Sequence, residues 1–103
     1  MTITINNATF ELKQTLRSLF IYEKITNEIF NPSTLTNIVI YFYSVVMASN
    51  KNLTITFDDF TDWLDANINE LNNFTKWLAD VNNKNGYING NTDNKTVEEP
   101  KKE

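Results

Sequence analysis

From Ile38 to Ala48 the chain reads IVIYFYSVVMA, an apolar run broken only by Ser44 in a sequence otherwise thick with Asn and Thr. Water must be kept from such a run by a membrane, by a sheet buried on both faces, or by a helical core. A membrane span needs about 20 apolar residues; this run is much shorter and has no basic flank. Its β-branched residues would suit a buried strand. Ser33 or Thr34, however, offers an N-cap just upstream, and the stretch from Asn37 to Asn50 has the length of about four helical turns. The pattern predicts a central helix, apolar all round and covered on most sides.

The flanking segments supply the cover. At 103 residues the chain makes one domain with one modest core, which seven Phe, four Tyr and two Trp render aromatic. The first residues, TITINNATFEL, alternate apolar and polar on both sides of Asn6-Asn7, and Asn tolerates the positive φ of a two-residue turn. A β-hairpin closed there pairs Ile5 with Ala8, Ile3 with Phe10 and Met1 with Leu12. All six then share one face, with Thr2, Thr4, Thr9 and Glu11 on the other.

Between Gln14 and Phe30, Leu16, Leu19, Phe20, Ile25 and Ile29 recur at helical spacing, with Arg17, Lys24 and Glu28 for the wet side. This predicts an amphipathic helix ending between Thr26 and Phe30, where Asn27 can take the left-handed conformation and Pro32 blocks continuation. After the central helix comes a loop with a short extended piece at Leu53 to Thr56. Thr56 to Asp59 then resembles a capping box, with Asp in place of Glu. Phe57, Phe60 and Leu64 line one helix. After a break at Asn67 to Asn69, Leu71, Phe74, Leu78 and Val81 line a second, the two forming a helical hairpin. The expected fold class is mainly α with a short N-terminal β-hairpin (α+β), about four helices around a central apolar one. Residues 1–83 form the domain, and the polar stretch 84–103 is expected to be a disordered tail.

Chemistry is restricted by what is missing. The chain has neither Cys nor His, which removes disulfides, thiolate or imidazole metal sites and the usual nucleophile pairs. No catalytic residue, metal site or cofactor is expected. The N-terminus has no basic segment followed by an apolar one, so a secretory signal is not expected and the cytoplasm is. N-x-T sequons such as Asn7-Ala8-Thr9 follow from the abundance of Asn and Thr.

Net charge is −4, and the acidic excess lies wholly in residues 57–83: Asp58, Asp59, Asp62, Asp65, Glu70 and Asp80 against Lys76. Phosphate contacts need clustered Lys and Arg, so nucleic acid is not an expected partner. Asp62 to Glu70 loosely resembles a calcium loop, but Trp63 and Leu64 stand at early positions and the loop Gly is missing. A glycosidase-like carboxylate pair would need a cleft and a raised pKa. Docking of a basic partner segment competes with a plain solvated face whose Asp residues favour the helix dipole. Trp63 and Trp77 either close the core or anchor a partner, as do Tyr41 and Tyr43 if the central helix is partly open. Candidate partner-binding residues are therefore Tyr41, Tyr43, Asp59, Asp62, Trp63 and Trp77.

Taken in order, FELKQTLRSLFIYEKITNEIF, then an apolar helix ending VVMASNKNLTITFDDFTDWLD, then LNNFTKWL, resembles the small tail assembly chaperones of long-tailed phages and prophages. The resemblance covers about residues 1–83. It rests on the hairpin, on a helix carrying Arg17, Phe20 and Glu23, on the apolar helix, and on the Asn50 to Thr54 loop leading into an acidic aromatic helix. Asn27 stands where such proteins often have Gly, and Asn is the next residue able to make that turn.

The resemblance implies a mostly helical, non-enzymatic protein of the host cytoplasm that binds the tape measure protein, with the tail tube protein a second candidate. It also implies a longer frameshifted form, for which Lys101-Lys102 could mark an A-rich slippery site. A structural or accessory virion protein retained in the particle is the alternative function. A small acidic inhibitor or DNA mimic is a third, for which −4 is a meagre charge. Self-association is left open, and no membrane partner is expected.

Overall fold

The computed structural model describes residues 1–31 and 33–85, the last three by backbone alone. Pro32, the expected tail beyond Asn85 and the Lys101-Lys102 pair lie outside the described residues. Two strands, β1 (Thr2–Ile5) and β2 (Ala8–Glu11), precede four helices: α1 (Leu16–Thr26), α2 (Leu35–Ser49), α3 (Phe57–Ala66) and α4 (Asn69–Asn85). The chain is thus mainly α with a short N-terminal hairpin. Among the described residues, no helix is long and apolar enough to cross a membrane.

The hairpin has the register that alternation dictates: Ile5 pairs with Ala8, Ile3 with Phe10 and Thr2 with Glu11. Asn6 and Asn7 make the turn at φ 52° and 68°, the positive pair that a primed turn requires. Ile3, Ile5 and Leu12 face inward and are buried, while Thr4 and Thr9 join their hydroxyls across the outer face at 2.8 Å.

Thr15 caps α1, accepting from the backbone N–H of Ser18, whose own hydroxyl accepts from the Thr15 N–H. The helix stops because Asn27 turns left-handed (φ 56°, ψ 31°) and gives its N–H to the Glu23 carbonyl. Thr34, not Ser33, caps α2 through the Asn37 N–H. Ser44, the one break in the apolar run, is fully buried and donates to the Ile40 carbonyl at 2.8 Å, so its burial leaves no donor unpaired. Thr56 caps α3 by accepting from the Asp59 N–H, with Asp58 and Asp59 in the first turn. Leu53 to Thr56 forms no strand, although Ile55 is buried. Helix α4 runs two residues past the expected boundary at Asn83.

As the apolar run predicted, α2 is the centre: Tyr41, Phe42, Val45 and Val46 are fully buried. Rings cover it on two sides. Tyr22 of α1 meets Tyr41 edge-on at 5.9 Å, and Phe30 tilts against Tyr41 at 4.4 Å. On another side Phe42 meets Phe60 of α3 edge-on at 5.1 Å and stacks on Phe74 of α4 at 4.2 Å. Helices α3 and α4 therefore share Phe42 as their anchor.

The predicted inner stripe of α1 is not the inner stripe. Ser18 and Tyr22 are its buried residues, whereas Leu16, Phe20, Ile25 and Ile29 are exposed and Leu19 is half-buried. The reason lies in the charges. Arg17 and Lys24 fall within about 60° of Phe20 around a helix of 3.6 residues per turn. Burying Phe20 would drag both cations toward the core, at a desolvation cost above what one ring returns. The opposite side, through Ser18 and Tyr22, carries no charge and goes inward.

Candidate functional site

Besides Ile29 and Ile68, which stand exposed elsewhere, two surfaces expose apolar side chains that no part of the described chain covers. The first is the outer face of α1. Arg17, Phe20, Ile21 and Lys24 line a depression of about 490 Å³ borne by this one helix, so it has no opposing wall. Phe20 is 59% and Leu16 57% exposed. Neither Arg17 nor Lys24 forms an ion pair among the described residues. Glu23 lies outside this depression and lines another with Asn27, Glu28 and Ile29.

The second surface is a groove of about 260 Å³ where the first turns of α2 meet α3, lined by Leu35, Thr36, Val39, Phe57 and Thr61. It is just below the range of about 300–1,000 Å³ typical of small-molecule sites, and a single large side chain would fill it. Leu35 is 65% exposed. Capping explains this: with Thr34 fixed as N-cap, Leu35 is the first helical residue and projects beyond the end of the core.

The six residues expected to meet a partner separate. Tyr41 is fully buried and accepts from Gln14 Nε2 at 2.9 Å, so it presents no surface and leaves the candidate set. Burial raises its pKa, against smaller lowering effects of hydrogen bonds with Ser18 and Gln14. Tyr43 is half-buried and donates to the Ile55 carbonyl at 2.6 Å, its pKa also raised by burial. Asp59 and Asp62 are exposed on α3. Trp63 is half-buried, stacks on Phe60 and donates from Nε1 to the Thr4 carbonyl at 3.2 Å, tying α3 to the hairpin. Trp77 is half-buried against Phe74. The two tryptophans therefore extend the core outward from Phe42 and Phe74.

Asp62 to Glu70 is not a continuous loop: it spans the end of α3 and the start of α4. Among the described residues no group of three or more carboxylates could hold a metal ion. Leu16, Phe20, Ile25 and Leu35 were absent from the expected site because apolar residues at helical spacing read as core. The signal that could have found Leu16 and Phe20 is the placement of Arg17 and Lys24 beside Phe20.

Compared with protein-family models, with curated proteins and with solved structures, the chain matches none.

Proposed function

We propose that this chain is a non-enzymatic assembly chaperone of phage or prophage tails, which binds the tape measure protein in the host cytoplasm and keeps it soluble until the tail tube encloses it. The observation that carries this reading is the outer face of α1, where Leu16 and Phe20 stand exposed with Arg17 and Lys24 beside them. A small chain that leaves its aromatic helix face uncovered has a surface suited to amphipathic helical segments of another protein. The resemblance of residues 1–83 to tail assembly chaperones names the partner. The absence of Cys and His from the whole sequence supports a binding role over a catalytic one. Weak contacts repeated along a very long partner would suffice, since linked sites gain avidity without new contacts.

A tagged pull-down from cells producing the whole element tests this, with bound proteins identified by mass spectrometry. Recovery of one very long, helix-rich protein, lost with Phe20→Asp, is the expected outcome. Recovery of tail tube or capsid proteins alone, with the chain present in purified particles, would make it a structural or accessory virion protein instead.

A further inference from the structure

We propose that the segment just past α4, Gly86 to Ile88, folds back over the first turns of α1 and seats Tyr87 and Ile88 on Leu16 and Phe20, so that the chain carries a cover for its own exposed face. The seating does not depend on the tape measure reading; its consequence for partner capture rests on that reading.

The first observation is where α4 ends. Asn82 Oδ1 accepts from Gln14 Nε2 at 3.2 Å, and the same amide donates to the Tyr41 hydroxyl at 2.9 Å. Gln14 stands two residues before Leu16, the first residue of α1, and α4 runs on to Asn85, three residues past Asn82. The last turn of α4 is therefore held beside the start of α1. The second observation is reach. Three extended residues span about 10 Å, whereas Leu16 and Phe20, four residues apart, are separated by about 6 Å along the helix axis. Leu16 lies at the open end of α1, so the chain passes that end instead of going round the helix. Gly86 comes directly after Asn85, and a Gly just past a helix end is the residue best able to turn the chain.

The third observation is chemical match. Between Asn82 and Thr96, Tyr87 and Ile88 are the only large apolar residues, and Asp93 is the only acidic one. Leu16 and Phe20 are exposed, and neither Arg17 nor Lys24 beside them has an ion partner among the described residues. Asp93 follows Ile88 by five residues, a span of up to about 17 Å, which brings its carboxylate within reach of both cations. The α2–α3 groove is not the seat. It lies on the Tyr43 side of α2, where Phe57 meets Tyr43 at 5.4 Å, and residues two apart on a helix point about 200° apart, so it faces away from Tyr41 and from the end of α4.

Ordering a few residues costs backbone entropy, which two apolar side chains offset only narrowly, so the cover is shallow and opens readily. A partner that takes the α1 face must displace it, and the apparent affinity falls by the fraction of time the face is closed.

Backbone NMR on the full chain, at low and at high protein concentration, tests the seating. The heteronuclear NOE of the Tyr87 and Ile88 amides should approach that of the helices at both concentrations, and in Phe20→Ser should fall to the value of the residues after Lys95. Tyr87→Ser/Ile88→Ser should shift the amide signals of Leu16, Arg17 and Phe20, leave those of α3 in place and keep the helical circular dichroism. Wild-type NOE values at Tyr87 and Ile88 no higher than those after Lys95 overturn the proposal, as do α1 signals that the double variant leaves unmoved. Shifts that grow with concentration also overturn it, by giving the α1 face to a second copy. In the pull-down the double variant should capture about twofold more of the long partner if the face is closed half the time. Equal capture by a chain whose cover NMR has shown overturns the regulatory part, whereas capture of no long protein by either chain sinks the tape measure reading and leaves the seating standing.

Discussion

The ring of Phe42 lies parallel to that of Phe74, 3° from coplanar orientation with centroids 4.2 Å apart, while Phe60 meets the same Phe42 at 80°. One side chain of α2 thus holds both C-terminal helices. Phe42→Ala should therefore act on α3 and α4 together. A buried Phe reduced to Ala costs about 3–5 kcal/mol, against a total of about 5–15 kcal/mol for a small domain. Urea titration followed by circular dichroism should show a large drop in midpoint. A variant with the wild-type midpoint would mean that the stack does not anchor these helices.

The α1 face should behave in the opposite way. Phe20→Ser removes an exposed ring, so the unfolding free energy should change by no more than about 0.5 kcal/mol, while partner capture is lost. If Phe20→Ser destabilises as strongly as Phe42→Ala, the ring is a core residue and the face is not a binding surface.

Asn27 ends α1 in the left-handed region. A residue with a Cβ and no local polar group should fit poorly there: Asn27→Ala should cost about 1 kcal/mol, and Asn27→Gly should stay within about 0.5 kcal/mol of the parent. Equal stability of all three would show that the turn is held by the packing of Phe30 on Tyr22 and Tyr41, not by the backbone.

Tyr41 and Tyr43 both have pKa values raised above the ordinary 10.0 by burial. The fold therefore keeps these protons where the unfolded chain has begun to release them. Their contribution to stability is complete below pH 10.0 and declines as pH rises from there through their folded values. Denaturant midpoints should be flat on the acid side of this window and fall on its alkaline side. Tyr41→Phe should fall less steeply there, and an identical slope would assign the loss to other groups.

Much of the architecture could be read from local signals. Alternation around Asn6-Asn7 specified the hairpin and its register, because a slip of one residue would turn Ile3 and Ile5 outward. Thr34, Thr56 and Asn27 marked helix ends, because each satisfies backbone groups within its own turn. The eleven-residue apolar run specified the centre, because nothing else in the chain needs so much cover. Side-chain pattern alone could not orient α1. Leu16 and Phe20 are the larger apolar pair by pattern, yet the tertiary structure buries Ser18 and Tyr22, because Tyr22 can pack edge-on against Tyr41 and Phe30 without bringing a charge inward.

The binding surfaces followed from the same decision. Sequence could name Tyr41 and Tyr43 as exposed or buried only together, since both stand on one apolar helix; packing put Tyr41 wholly inside and left Tyr43 at the edge. The sequence by itself determined where elements begin and end, through turn and capping chemistry that acts over a few residues. Only the tertiary structure decided which face of α1 is wet, because that depends on which rings across the chain can meet and on where Arg17 and Lys24 can stay hydrated.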